Sequence, residues 1–298
     1  MDSEASPAPE QLVGDLVHLL ELERRGDDEF AGRRKKGGVG RVFGGQVIAQ
    51  ALAAAELTID EDRLPHSLHA YFLRGGDEEY EIDFRVMRDF DGGSFSNRRV
   101  VASQQGKPIL NLAASFQRPQ AGLEHQYSEM SDVPGPAGLT SDADHRAEYA
   151  KLVPSKYRDR LLSPWPIEVR QVEPNHWTQS VKTPPRLHIW FRTIAPLPDD
   201  PRIHRGVLAY ASDMHLLGTS ARPHGLTWYR AELKAASLDH AIWFHQPFRA
   251  DEWLLHVTES PWAGGARGFT RGQIFSEDGR LVASTTQEGM IRPVKRAG

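Results

Sequence analysis

The sequence predicts an α+β fold in which two curved antiparallel sheets each wrap around one long central helix. Three observations support this prediction. Each half of the chain contains a long helix pattern and at least four strand patterns. Short similar stretches recur in the same order in both halves, about 170 to 174 residues apart. The segment between the halves is rich in proline, glycine, aspartate and serine, which is typical of a connection.

The first half begins with a helix pattern over residues 11–25, where leucines recur at helical spacing. Residues 44–57 predict a second helix that is buried on most sides, because they are rich in alanine and poor in charge. Four strand patterns follow, separated by glycine-containing turns: they cover residues 67–73, 81–89, 94–104 and 109–117.

The second half repeats this order. A helix is predicted over residues 199–218, with Asp199 or Asp200 as its cap and Pro201 in its first turn. Strand patterns precede it and follow it: residues 167–172, 186–193, 237–244, 253–260, 266–276 and 281–291. The predicted units are therefore residues 1–118 and residues 167–298, joined by a linker over residues 119–166 that contains a polar helix near residues 144–152.

The repeat is visible in the letters. Ser67-Leu68-His69-Ala70 is similar to Ser237-Leu238-Asp239-His240-Ala241, and both halves end in Arg-Pro. A long helix wrapped by a curved antiparallel sheet is the hotdog arrangement, and two such units can cover each other's edges or faces. The sequence thus predicts a double hotdog.

Composition excludes several classes of protein. The 298 residues carry a formal net charge of −4, so no strong field favours nucleic acid or an anionic membrane. There is no cysteine, and the 13 histidines form no HExxH motif, so we predict neither a metal site nor a cofactor. No apolar run approaches the roughly 18 residues of a membrane span, and the N-terminus lacks the pattern of a signal peptide. A cytoplasmic protein is predicted.

Several stretches of the chain closely resemble the acyl-CoA thioesterase II family: Arg41-Val42-Phe43-Gly44-Gly45-Gln46-Val47, His69-Ala70-Tyr71-Phe72-Leu73-Arg74, Tyr210-Ala211-Ser212-Asp213, Leu238-Asp239-His240-Ala241-Ile242-Trp243-Phe244-His245, Glu252-Trp253-Leu254-Leu255, Ala266-Arg267-Gly268-Phe269 and Val282-Ala283-Ser284-Thr285-Thr286-Gln287-Glu288-Gly289. The resemblance implies a double hotdog fold and hydrolysis of acyl-CoA to free acid and CoA.

The resemblance also implies a catalytic site of Asp213, Ser237 and Gln287, with serine at position 237 where the family pattern has threonine. Thioester hydrolysis needs an activated water and a stabilised oxyanion. Asp213 can act as the general base, while Ser237 and Gln287 can orient the water. Backbone N–H groups near Gly45 and Gln46, at a helix N-terminus, are candidates for binding the oxyanion.

Aligning the two halves predicts one working site in each chain. Val47-Ile48-Ala49 aligns with Val207-Leu208-Ala209, which places Ala53 opposite Asp213. Aligning the turn glycines Gly106 and Gly279 places Ala114 opposite Gln287. The first half therefore lacks two of the three groups.

The remaining candidates have weaker support. His69 is a reserve candidate for the site, whereas His240 and His245 are interpreted as packed strand residues. Five arginines are candidates for binding the phosphates of CoA: Arg74, Arg98, Arg99, Arg267 and Arg271.

Two alternative functions stay open at this point. One is an enoyl-thioester hydratase or dehydratase that uses Asp239 and His240, and the other is a non-catalytic acyl-CoA binding protein. The absence of a GxSxG motif disfavours a nucleophile-elbow hydrolase. Paired sheets still leave free edges, so we expect a homo-oligomer.

Overall fold

The structure is a computed structural model, and it describes residues 7–35, 40–153, 155–173, 181–226 and 233–294. Its α-helices are α1 (Pro9–Leu20), α2 (Gly44–Glu56), α3 (Asp142–Ala150), α4 (Ser155–Leu162), α5 (Pro201–Ser212) and α6 (Leu216–Ala221). Its strands are β1 (Leu22–Arg24), β2 (Glu29–Gly32), β3 (Leu64–Phe72), β4 (Ile82–Asp91), β5 (Phe95–Gln104), β6 (Lys107–Gln117), β7 (Ile167–Gln171), β8 (Arg186–Thr193), β9 (Leu233–Ser237), β10 (Asp239–Phe244), β11 (Leu254–Gly264), β12 (Arg267–Ser276) and β13 (Leu281–Pro293).

The strands form one continuous antiparallel sheet. Its order is β1-β2-β4-β5-β6-β3 in the first half, then β10-β13-β12-β11-β8-β7 in the second, with β9 also paired to β13. The halves join where β3 pairs with β10, from Asp239 opposite Tyr71 to Trp243 opposite Ser67. The two predicted sheets are therefore joined edge to edge, which satisfies the backbone groups of two strands that would otherwise be free.

The helices α2 and α5 pack against each other inside this sheet. Gly45, at the start of α2, lies against the end of α5: a Cβ atom at Gly45 would come within 2.2 Å of the carbonyl oxygen of Tyr210. Glycine is required there because any side chain would push the helices apart. The N-terminus of α2 thus lies next to the C-terminus of α5, which places one end of each half at a shared position.

Two predicted elements are interrupted, and both interruptions adjoin Asp213 or Ser237. The helix predicted over residues 199–218 ends at Ser212, and a new helix begins at Leu216 after His215 adopts a left-handed backbone with φ of 71°. The strand predicted over residues 237–244 is split at Leu238 into β9 and β10. Periodicity alone does not reveal either break, because the apolar pattern continues through both.

The end of the first helix and the content of the linker also differ from the prediction. The helix predicted over residues 11–25 ends at Leu20, since the following residues form β1 and pair with β2. The predicted polar helix is α3, and the linker contains a further helix, α4, that the sequence reading missed. The division into residues 1–118, 119–166 and 167–298 stays a prediction.

Candidate active site

Asp213 is the C-cap residue of α5, with φ −77° and ψ −12°. Its side chain is only 6% exposed. One carboxylate oxygen, Oδ2, faces the start of α2: a Cβ atom at Gly44 would lie 2.7 Å from it. The break between α5 and α6 therefore brings a buried carboxylate from the second half to the first turn of the first half's central helix.

This placement has a simple electrostatic consequence. A carboxylate at the C-terminus of α5 lies at the negative end of that helix dipole, which is unfavourable. The N-terminus of α2, with its unpaired N–H groups, supplies the opposite partial charge beside the same carboxylate. The packing of α2 against α5 thus sets a compensating partial charge beside Asp213, which is paired with no arginine or lysine of the described residues.

Gln287 lies on β13 and is 1% exposed. Its Nε2 atom donates a hydrogen bond of 2.6 Å to Asp213 Oδ1 and lies 3.2 Å from His240 Nδ1. Its Oε1 atom is buried and has no hydrogen-bond partner among the described residues. The structure therefore brings together two of the three predicted site residues, and it leaves one acceptor of Gln287 unused.

Ser237 is close to this pair but is not bonded to it. It ends β9 opposite Gly289, two residues along β13 from Gln287, so both side chains lie on the same face of the sheet. The shift between β9 and β10 is bridged by Asp239, whose carboxylate accepts the N–H of Glu288. In the described part of the chain no hydrogen bond joins Ser237 to Asp213 or Gln287, so a contact between them would need one intervening molecule.

His240 belongs to the same cluster. It is a packed strand residue, as predicted, but the sequence did not reveal its contacts with the site residues. It is 1% exposed, its Nε2 lies 2.9 Å from Ser212 Oγ, and its Nδ1 lies 4.0 Å from Asp213 Oδ1. Burial lowers the pKa of His240, while the nearby charge of Asp213 partly opposes that change. His240 is therefore uncharged near neutral pH. His245, by contrast, is exposed and bonds only Ser284.

The candidate oxyanion donors are backbone N–H groups in the first turn of α2. The N–H of Gln46 is already donated to the carbonyl oxygen of Phe43, as in a tight first helical turn. Within the described residues, the N–H groups of Gly44 and Gly45 have no such acceptor. Gly45 and Gln46 stay predicted donors, although the N–H of Gln46 is engaged within the helix turn, and Gly44 is added as a candidate.

His69 and three of the candidate arginines lie away from this cluster. His69 is exposed and packs edge-on against Trp243, on the sheet face opposite to His240. Because successive strand residues point to opposite faces, its neighbours in β3 face the core while it does not. His69 therefore lies on the other face of the sheet from this cluster, and its reserve role in the site stays a prediction. Arg74, Arg267 and Arg271 are exposed, and each already binds a carbonyl or carboxylate of this chain: Pro108, Glu288 and Glu259 respectively.

The other two arginines are also occupied. Arg98 is buried at 2% exposed and is bonded to Thr58 and Asp91. Arg99 is paired with Asp89. A buried, fully paired guanidinium cannot reach a dissolved phosphate, so Arg98 is excluded as a phosphate ligand.

Thr270 is a residue that the sequence reading did not single out. It lies on β12 opposite Gln287, it is fully buried, and its Oγ1 has no partner among the described residues. A threonine on a strand is unremarkable in sequence. Its significance comes from its pairing with Gln287. Thr270 Oγ1 and Gln287 Oε1, both without a partner among the described residues, lie side by side on neighbouring strands.

Two further properties of the described residues bear on function. No group of three or more His, Asp or Glu side chains in that part of the chain has the arrangement of a metal site. Among its helices, none has the length and apolar character needed to cross a bilayer.

Comparison with solved structures defines the class of protein. A crystal structure from Mycobacterium marinum, of an acyl-CoA thioesterase II called TesB2, matches with a TM-score of 0.75 and 37% identity over 96% of this chain and 99% of that chain. A protein of unknown function with a hot dog fold, from Alicyclobacillus acidocaldarius, matches with a TM-score of 0.72 at 19% identity over 93% of this chain and 97% of that one, which shows the fold alone. The predicted double hotdog fold is confirmed.

Sequence comparison then gives the family. The chain matches the model of the acyl-CoA thioesterase family over residues 159–290 and that of the acyl-CoA thioesterase N-terminal domain over residues 33–117. Acyl-CoA thioesterase 2 from Haemophilus influenzae is 41% identical over 281 residues, covering 94% of this chain and 98% of that protein. The chain belongs to the acyl-CoA thioesterase family, so it is a hydrolase, and the resemblance seen in its motifs is confirmed.

Proposed function

We propose that this enzyme hydrolyses acyl-CoA thioesters by direct attack of a water activated by Asp213, at one site per chain between its two halves. The observation that carries this proposal is the hydrogen bond of 2.6 Å between Gln287 Nε2 and Asp213 Oδ1, beside the N-terminus of α2. It uses one carboxylate oxygen as an anchor and leaves the other, Oδ2, as an acceptor.

In this mechanism Asp213 takes a proton from the water as the water's oxygen attacks the thioester carbon. Asp213 Oδ2 lies beside the start of α2, where it can accept that proton as a general base. Gln287 Oε1 accepts a hydrogen bond from the same water, and Ser237 Oγ donates one to it or accepts one from it. Together they fix the direction of the water. Thr270 Oγ1 offers a further hydrogen-bonding group on the neighbouring strand.

The attack converts the thioester carbonyl into an oxyanion. Within the described residues the N–H groups of Gly44 and Gly45, at the start of α2, have no acceptor, and Gly44 lies beside Asp213. Donors that are fixed before the reaction stabilise the developing charge without any reorganisation. Collapse of the tetrahedral intermediate then expels the CoA thiolate, which takes up a proton, and leaves the free acid.

The hydratase alternative is disfavoured by the geometry of Asp239 and His240. The Asp239 carboxylate accepts a backbone N–H of β13, whereas His240 bonds Gln287 and Ser212. The two side chains thus have different partners, on opposite sides of one strand, and do not address a common substrate atom. An enzyme that added water to an enoyl thioester would need them to act together.

One assay tests the proposed reaction. The protein is incubated with saturated acyl-CoAs of several chain lengths and with the matching 2-enoyl-CoAs, in the presence of a reagent that reports free thiol. We expect thiol release and free acid from the saturated substrates. Formation of a hydroxyacyl-CoA from the enoyl substrates without thiol release would support the hydratase, and tight binding with no product would support a binding protein.

We further propose a cytoplasmic homo-oligomer. The outer strands β1 and β7 each pair on one side only within the described residues, so each leaves a free edge. Sedimentation at micromolar concentration should give a species heavier than the 33.4 kDa monomer. A single 33.4 kDa species would contradict the oligomer.

A further inference from the structure

The hydrogen bonds around Gln287 impose a direction on its side-chain amide. If the amide were reversed, Oε1 would stand 2.6 Å from Asp213 Oδ1, and two acceptors would repel each other. The nitrogen therefore faces Asp213 and donates one of its two hydrogens there. The second hydrogen lies toward His240 Nδ1, at a nitrogen separation of 3.2 Å.

This geometry fixes the state of His240. A ring nitrogen can accept an amide N–H only if it carries a lone pair, so Nδ1 is unprotonated. The hydrogen of the neutral ring is then on Nε2, which donates to Ser212 Oγ at 2.9 Å. Ser212 in turn donates to the carbonyl oxygen of Ala209 at 3.0 Å. A backbone carbonyl can only accept, so the chain of donors ends there with a single consistent direction.

The groups around His240 keep this state. The titratable side chains that face it are Asp213, at the end of α5, and His256 of β11, which is itself buried and bonded to Thr285. On the paired strand β3, its opposite residue is Ala70, which has no ionisable group. Burial lowers the pKa of His240. A protonated Nδ1 would lose its donor from Gln287 and direct a second hydrogen at that amide.

We propose that His240 is a positioning residue, which holds the Gln287 amide in the one orientation that anchors Asp213 and turns Gln287 Oε1 toward the attacking water. This inference rests on the proposed function, and it adds a role that His240 performs without touching substrate. It also explains why a histidine occupies a fully buried strand position. An aliphatic side chain there would leave the second hydrogen of Gln287 without an acceptor and the amide free to rotate.

Three substitutions at this position separate positioning from packing. His240→Asn keeps an acceptor, Oδ1, near the place of Nδ1. His240→Gln places its amide near the position of Nε2 instead, and His240→Leu removes both. The matched control is His245→Leu, because His245 lies just beyond the same strand and also bonds a serine hydroxyl, but is exposed and distant from Gln287.

We expect His240→Leu to lower kcat about ten-fold or more, with little change in KM, since the net value of one buried hydrogen bond corresponds to roughly that factor. His240→Asn should recover most of the loss, and His240→Gln should not. His245→Leu should keep wild-type kcat. Equal kcat for His240→Leu and His245→Leu, or equal loss in His240→Asn and His240→Leu when both are folded, would overturn the role.

A measurement without turnover tests the same inference on the intact enzyme. Nitrogen-15 spectra of the histidine side chains, assigned with His240→Asn, should show His240 neutral with its hydrogen on Nε2 between pH 6 and 8. A hydrogen on Nδ1, or a charged ring in this range, would overturn the proposal whatever the kinetics. If instead Asp213→Asn retained full turnover while His240 had the expected state, the proposed function would fail and the assigned hydrogen-bond direction would stand.

Discussion

The same three neighbouring strands carry different chemistry in the two halves. In the second half, β10, β13 and β12 bring together His240, Gln287 and Thr270. In the first half, the corresponding strands β3, β6 and β5 pair Leu68 with Ala114 and Ala114 with Arg98. Within the described residues, Gln287 Oε1 and Thr270 Oγ1 of the second half lack hydrogen-bond partners, whereas the first half presents two aliphatic side chains and a guanidinium at these positions.

Arg98 lies opposite Ala114 in the first half, as Thr270 lies opposite Gln287 in the second. Its guanidinium donates to Thr58 Oγ1 at 2.9 Å, to the Thr58 carbonyl at 3.1 Å and to Asp91 Oδ1 at 2.7 Å. All of these partners belong to the first half, and their bonds leave no free group facing the interior. We therefore infer that the first half supplies the N-terminus of α2 to the proposed site, while the second half supplies its side chains.

After removal of the Asp213 base itself, the largest effect should come from replacing the neutral amide of Gln287 with a carboxylate. Gln287→Glu places a second carboxylate about where Nε2 lies 2.6 Å from Asp213 Oδ1, and two carboxylates at that distance cannot both stay ionised. We expect kcat to fall on the order of 10²–10³-fold, comparable to losing one fixed catalytic donor. Steady-state kinetics give the value. The control is Gln273→Glu, whose side chain bonds Ser128 away from the site and which should keep normal turnover.

Removing the buried guanidinium of Arg98 should affect stability and not catalysis. Arg98→Met leaves Thr58 without its buried donor and breaks the bond to Asp91, so we expect a loss of about 2–3 kcal/mol in the free energy of unfolding. The exposed pair of Arg99 and Asp89 provides the control: Arg99→Met should lower the free energy of unfolding far less than Arg98→Met does. Denaturant unfolding measures both. A strong fall in kcat for folded Arg98→Met would contradict the division of roles.

Acid should destabilise the second half through its buried histidines. Burial lowers the pKa of His240, and it lowers that of His256 to about 3, with His215 and His240 adding to the effect. The folded state therefore binds fewer protons than the unfolded state from about pH 6.5 down to the folded pKa, so the free energy of unfolding falls as pH falls through that window. For His256 the slope approaches about 1.4 kcal/mol per pH unit.

Unfolding in denaturant at pH 7.5, 6.0 and 5.0 measures this slope. His256→Asn should reduce it by up to one proton, since the group that must stay neutral is gone. Identical slopes for the wild type and His256→Asn would show that this histidine does not couple folding to pH.

The smallest effect concerns the hydroxyl at position 237. Ser237→Thr restores the hydroxyl of the family pattern with a stiffer χ1, so kcat should stay within about two-fold or rise slightly. Ser237→Ala removes the hydroxyl and should lower kcat about ten-fold. Because Ser237 and Gln287 orient one water, the double change Ser237→Ala, Gln287→Ala should be less than additive. Full additivity in kcat would indicate that the two residues act independently.

The sequence was informative wherever a pattern repeats or a motif is local. The helix at Gly44–Glu56 and the strands on either side of the Gly106 and Gly279 turns follow directly from periodicity and turn residues. The pairing of Asp213 with Gln287 came from the family resemblance, and the structure places them 2.6 Å apart.

The rest depended on interruptions that periodicity does not record. The break after Ser212 and the shift at Leu238 set where Asp213 and Ser237 lie, and both occur inside continuous apolar patterns. His240 seemed ordinary because a histidine on an apolar strand is usually only packed. Its role depends on which atoms of Gln287 and Ser212 face its two nitrogens, and that information exists only in three dimensions.

The central claim is that Asp213 is the base of a single site, and one measurement tests it most directly. Asp213→Asn preserves shape but removes the accepting charge, so kcat for acyl-CoA hydrolysis should fall on the order of 10²–10⁴-fold with little change in KM. The melting temperature of the variant, measured in the same preparation, establishes that it is folded. Wild-type turnover by folded Asp213→Asn would contradict the account.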